Sequence, residues 1–357
     1  MTENVAAAPR PEPASWPTAV LIGLVAGALA AALVLVRGTT SPTVSDFDQL
    51  WHGARAAWAG ISPYTAVGPG RAFDWDYLFY PMPAVIVAMP FALAPLLAAR
   101  ALFAAASAAL LAAAFVRNDR AKLVTLLTAP ALIALARGQS SPLLLATAYF
   151  PALAWLGVAK PNIGMSLVPV SRNLRTTILA GAIGATLMTV VSFALEPTWV
   201  AQWREVVARK TDNAPAVLRF GGFLIPLVLL RWRRREAWLI MLLACIPQTP
   251  SLYDAVPLFA VPIGLRQCTA LGLSANVAFL ALVTGLGFAA DATYGTRVTT
   301  LSVLFMYLPA VGIVLTRPND SEPATVRERF TRADLLLVLL FAVSSFFAIW
   351  GTIAKYR

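Results

Sequence analysis

The sequence predicts an all-α, polytopic transmembrane bundle of about 10–12 spans, allowing about 20 residues for each full crossing. Three observations carry that prediction. Of 357 residues, 59% are hydrophobic and 13% charged, whereas a soluble domain carries about a quarter charged residues. The apolar content is spread over many runs separated by basic or proline-rich breaks, which excludes a soluble domain with one anchor. The residue-by-residue alternation of a membrane β-barrel is missing. Cys245 and Cys268 lie in or beside apolar runs and read as small packing residues, with no disulfide required. The net charge of +11 comes from Arg and Lys clusters that mark cytoplasmic loops and touch anionic headgroups, not from a nucleic-acid footprint.

Residues 1–16 are Pro- and Ala-rich and polar, and read as a disordered cytoplasmic tail. Residues 17–36 are apolar enough to span; they are too long for a signal-peptide core and lack a strongly basic lead. With the N-terminus inside, residues 38–80 become the first external loop. Within it, Phe47, Leu50, Trp51, Ala54, Ala57 and Trp58 recur at spacings of three and four, which predicts an amphipathic helix over 46–60 lying at the interface. Ser45 is its expected cap and Gly60 its expected end. The run 81–115 is broken by prolines and reads as two short spans or a kinked helix with a partial one. Residues 123–136 form the next expected span. The stretch 142–170, interrupted by Pro151, Lys160-Pro161-Asn162 and Pro169, fits a broken helix or re-entrant turn. Residues 176–195 are a clean span into a second external loop, 196–215, with an amphipathic centre. The next span ends in the run Arg231 to Arg235, the strongest cytoplasmic marker. Shorter apolar runs at 237–246 and 255–265 follow, then spans at 268–289, at 298–315 and from the charged loop at 317–334 to Trp350. Everything after the tail is expected to be one transmembrane domain, 17–357.

Polar groups from distant parts of the chain converge on the outer side of this topology: Asp46, Asp48, Gln139, Lys160, Tyr253 and Asp254. A carboxylate at a membrane-facing cleft can act as general base on a hydroxyl, and a nearby Lys or Arg can hold a phosphate. Asp46-Phe47-Asp48 and Asp74-Trp75-Asp76 have the Asp-x-Asp spacing of hard-metal ligands. Two such side chains on one helix point apart, so no metal is assigned, although a divalent ion stays open. His52, the sole histidine, reads as an interfacial side chain or as a ligand of the site.

Asp46-Phe47 with its Ala-rich helix, Gly60, Pro63-Tyr64, Tyr80-Pro81-x-Pro83, Gly138-Gln139, Lys160-Pro161 and Pro250 with Tyr253-Asp254 together resemble the polyprenyl-phosphate-sugar-dependent glycosyltransferases of the GT-C superfamily, above all glycosyltransferase family 87, an α-mannosyltransferase group. Ser141 stands where that family usually has Asn. The resemblance implies a GT-C-type bundle with Asp46 as catalytic base, no cofactor, a lipid-linked hexose donor, usually mannose, and a lipid or glycan acceptor. Lys160 or Arg137 would steady the leaving phosphate, and Gln139, Tyr64, Tyr253 and Asp254 would shape the sugar pocket. Asp48, His52 and Tyr80 complete the expected substrate-binding set. The expected location is the inner (plasma) membrane, with the site facing outside. The competing expectation is a transporter or flippase, which would place ionisable residues near the bilayer midplane rather than on an interfacial loop.

Overall fold

The computed structural model describes residues 14–40, 44–210, 214–247, 251–285, 293–320 and 331–354. Residues 1–13 of the expected tail lie outside them. So do parts of three expected loops (41–43, 211–213 and 321–330), residues 248–250 with Pro250, and 286–292. The described residues are helical, with no strand beyond a single bridge between Val67 and Phe73. Eight helices are labelled here: α1 (Trp16–Thr40), α2 (Asp46–Trp58), α3 (Leu96–Asn118), α4 (Ser141–Tyr149), α5 (Leu174–Leu195), α6 (Gly264–Thr284), α7 (Tyr294–Leu315) and α8 (Arg332–Ala354). All but α2 and α4 are long and apolar enough to cross a membrane, giving six such helices among the described residues rather than 10–12. The other apolar runs fold into pieces of ten residues or fewer, such as Ala129–Ala136, Gly222–Arg231 and Arg235–Ala244. Proline decides much of this: Pro226 and Pro257 sit inside 3₁₀ segments, where an extended α-helix would lose a backbone bond.

The protein is embedded in a membrane by these six helices. α1, α5 and α8 keep only 28%, 11% and 28% of their apolar windows buried, so most of their surface meets lipid. α1 packs along α3 through Gly23 and Gly27, where a Cβ would stand 2.8 and 2.9 Å from the carbonyl oxygens of Ala109 and Ala105. This small-residue seam lets two backbones approach closely in lipid. Asn276 of α6 accepts from the Ala129 amide at 2.7 Å and donates to Ser344 and Ser345 of α8, a fully buried polar tie between spans. Every charged residue of the six long helices lies within five positions of a helix end.

The stretch 142–170 is a hairpin. After α4, a 3₁₀ leg (Pro151–Ala159) runs to Lys160, and a second leg (Pro161–Leu167) runs back. The legs touch through bare backbone: a Cβ on Gly164 would stand 2.7 Å from the Gly157 Cα. The Arg172 amide then bonds to the Ala148 carbonyl at 2.8 Å, returning the chain to the end of α4. Lys160 is therefore the bend between two short helical legs, a helix broken where the prolines stand.

Adding one methyl at the crossing tests this geometry. Gly164→Ala is expected to cost about 1–3 kcal/mol through overpacking, read as a lowered unfolding midpoint in detergent. A midpoint equal to that of the wild type would mean that the legs do not meet there.

Candidate functional site

Asp46 occupies the first turn of α2. Ser45 caps this helix, and the Asp48 carboxylate accepts from the Ser45 amide at 2.8 Å, completing a capping box. The Ser45 hydroxyl donates to the Arg137 carbonyl at 2.6 Å, and the Phe47 amide bonds to the same oxygen at 3.3 Å. Gly138 follows at φ +59, and a Cβ there would stand 2.6 Å from that of Phe47. Only glycine combines that left-handed backbone with so close an approach. The result is that Gln139 Nε2 donates to Asp46 Oδ2 at 2.5 Å, and Arg137 Nη1 lies 3.8 Å from the same oxygen. The Asp46 side chain keeps 24% of its surface open.

A second pair joins from the hairpin. Lys160 Nζ donates to Asp254 Oδ1 at 2.6 Å. Asp254 opens a 3₁₀ segment (Leu252–Ala260) whose start is capped by Ser251 and whose far end is held by Lys122, which donates to the carbonyls of Phe259, Ala260 and Pro262 at 3.2, 2.7 and 2.5 Å. Between the two pairs stand Tyr80 and Tyr253. Burial, then the charges of Asp46 and Asp254, push both phenols above their ordinary range, so each keeps its proton as a hydrogen-bond donor. The Gln139 amide oxygen and the Ser141 hydroxyl are buried without a partner in hydrogen-bond geometry. Two carboxylates, two cations, two phenols and an amide thus meet at the end of the bundle where α1 stops and α3 begins.

Between the hairpin and α5 lies an apolar cavity of about 240 Å³, which extends from Pro161, the chain neighbour of Lys160, to Ala148 at the end of α4. Gly157, Pro161 and Gly164 of the hairpin line it on one side, and Thr177, Gly181 and Ala185 of α5 on the other. A narrower apolar crevice runs from Tyr80 and Ser140 toward Ala159.

Of the expected site residues, Asp46, Arg137, Gln139, Lys160, Tyr80, Tyr253 and Asp254 come together. Three do not. Asp48 is 1% exposed and points away, its two oxygens held by Arg100 of α3 in a bidentate pair, one arm at 2.6 Å. That corrects its expected role in binding, and it also keeps Asp46 and Asp48 from sharing one metal ion. Tyr64 is buried, and its hydroxyl donates to the Tyr80 carbonyl at 3.0 Å, so it fixes the loop rather than lining a pocket. His52 stacks on Phe73 with ring centroids 4.0 Å apart, on the loop side of α2. Arg100 escaped sequence reading, although a lone arginine inside the apolar run 81–116 was a sufficient signal. Asp74 and Asp76 accept from the Gly70 and Tyr77 amides in an exposed turn. Among the described residues no three His, Cys, Asp or Glu side chains gather as a metal site.

No family model matches the chain, and comparison with curated proteins and with solved structures likewise finds no match.

Removing Arg100 leaves a buried carboxylate unpaired, which typically costs about 3–5 kcal/mol. Arg100→Met is expected to lower the unfolding midpoint far more than Arg55→Met, an exposed control; equal midpoints would dissolve the clamp. Burial lowers the His52 pKa below its ordinary 6.5, with the nearby charge of Asp48 opposing and those of Arg100 and Arg55 assisting. The folded state therefore favours neutral imidazole, and this contribution to stability is present above pH 6.5 and lost as pH falls through the lowered value. Thermal unfolding between pH 7.5 and 5 is expected to weaken more in the wild type than in His52→Phe. Parallel curves would show that His52 does not titrate with folding.

Proposed function

We propose that the protein is a membrane glycosyltransferase that moves a hexose, mannose being the first to try, from a polyprenyl-phosphate carrier to a hydroxyl of a lipid or glycan acceptor. The observation that carries this reading is an accessible carboxylate, Asp46, held rigidly at an end of the bundle in one cluster with Tyr80, from which an apolar crevice leads past Ser140 to Ala159. In the proposed reaction Asp46 takes the proton of the acceptor hydroxyl. The acceptor oxygen attacks the anomeric carbon, the bond from that carbon to the phosphate oxygen breaks, and polyprenyl phosphate leaves. One attack from the face opposite the leaving group inverts the configuration.

The surroundings of Asp46 suit these steps. Gln139 and Arg137 orient its carboxylate through one oxygen, leaving the other to face the acceptor. Lys160 lies in the chain between Ala159, which lines the crevice, and Pro161, which lines the cavity, so a phosphate with its isoprenoid tail in either would meet its ammonium; its pairing with Asp254 keeps the ammonium in place until then. The protonated Tyr80 and Tyr253, with the unpartnered Gln139 and Ser141 oxygens, offer donors and acceptors to sugar hydroxyls. A conduit would need ionisable groups along its spans, whereas the charges of the six long helices cluster at their ends.

The test is transfer itself. Purified protein with labelled polyprenyl-phosphate mannose and a lipid extract is expected to yield a new glycosylated product. Asp46→Asn is expected to retain its unfolding midpoint and lose transfer by about 10²–10⁴. Undiminished transfer in that variant would remove Asp46 from the chemistry, and absence of product with every polyprenyl-phosphate hexose tried would remove the reading.

A further inference from the structure

The arginines at the other end of the bundle divide into two groups. Arg231, Arg234 and Arg317 turn inward. Arg231 donates to the Arg317 and Leu315 carbonyls, Arg234 donates to the Pro318 carbonyl and forms an ion pair with Asp320, and Arg317 donates to Glu236, Gln267 and the Val261 carbonyl. These side chains tie segments of the fold together: Arg234 and Arg317 pair with carboxylates, and Arg231 is held by carbonyls. Arg172, Arg175, Arg233 and Arg235 behave differently. All four are exposed, and none forms an ion pair with a described carboxylate.

These four come from two separate stretches of chain brought together by packing. Arg235 donates to the Ser171 carbonyl at 3.4 Å, which sets the start of helix Arg235–Ala244 against the turn that leads into α5. Two exposed tryptophans flank the charges. Trp232 is 54% exposed and lies under the Arg233 guanidinium at 5.2 Å; Trp238 is 42% exposed and donates to the Trp232 carbonyl at 2.7 Å. Tryptophan with one wet edge and one apolar face belongs at headgroup depth. α5, which leaves from this patch, is the most lipid-exposed of the six long helices. It runs about 33 Å, at 1.5 Å per residue, before reaching the loops around the candidate site.

From this we infer that Arg172, Arg175, Arg233 and Arg235, with Trp232 and Trp238, form a binding site for the headgroup of an anionic phospholipid at the bundle end opposite the candidate site. The guanidinium forks supply paired donors to a phosphodiester, and the tryptophans set the depth at which the acyl chains meet α5. The positive charge selects an anionic over a zwitterionic headgroup. This site stands independently of the transferase reading.

Native mass spectrometry of the full-length protein in detergent, with phosphatidylglycerol or phosphatidylcholine added, reads the site directly. Wild type is expected to retain phosphatidylglycerol in clear preference to phosphatidylcholine. The R172Q/R233Q/R235Q variant keeps Arg231, Arg234 and Arg317, which hold the fold. Its apparent affinity for phosphatidylglycerol is expected to fall about a hundredfold, at about fivefold per arginine. R172Q and R235Q alone, each expected to show about fivefold, serve if the triple variant does not fold. Equal retention of the two lipids by wild type, or unchanged retention by the single variants, overturns the proposal. Displacement of the bound lipid by millimolar inorganic phosphate overturns it too, and reassigns the arginines to a free anion.

Discussion

The carbonyl oxygen of Arg137 accepts from both the Ser45 hydroxyl and the Phe47 amide, and the candidate site depends on that one acceptor. It joins the start of α2 to the turn that carries Gln139, although 92 residues separate Ser45 from Arg137. Asp48 and Arg100 then fasten the same helical turn to α3. The start of α2, and Asp46 with it, is thereby held from two directions. A carboxylate on an untethered interfacial helix would sample many orientations, and catalytic groups lose effectiveness when displaced by about 1 Å.

Lipid imposes the second constraint. A backbone group facing hydrocarbon must be satisfied within the protein, so irregular segments survive only where other helices cover them. The hairpin and the short pieces around Asp254 obey this rule. They lie among α3, α4 and α5 or end on capping groups such as Lys122 and Ser251. Charge obeys it as well. Arg37 reaches from the end of α1 to the Ala136 carbonyl, and Arg117 lies 4.1 Å over the Trp16 ring. Such groups sit where water or a carbonyl is within reach.

Much of this was legible in the sequence. The 3.6-residue spacing of Phe47, Leu50, Trp51 and Ala54, with Ser45 ahead of it, located α2 to within two residues of its observed end. The prolines around Lys160 signalled the break in the helix. The grouping of Asp46, Gln139, Lys160 and Asp254 followed from putting all loops of one parity on one side. Span counting failed because hydropathy cannot tell a crossing helix from a buried half-length one: Ala129–Ala136 and Ser141–Tyr149 are as apolar as true spans. The role of Asp48 was misread for a related reason. Its partner Arg100 lies 52 residues away, and only tertiary packing shows that the two carboxylates of Asp46-Phe47-Asp48 face different surroundings.

The bend at Lys160 has a mechanical corollary. Its two legs meet at Gly157 and Gly164 with no side chain between them to compress, and α5 lies alongside. Rotamer changes cannot give much there, so movement of the ammonium requires both legs to shift as one lever.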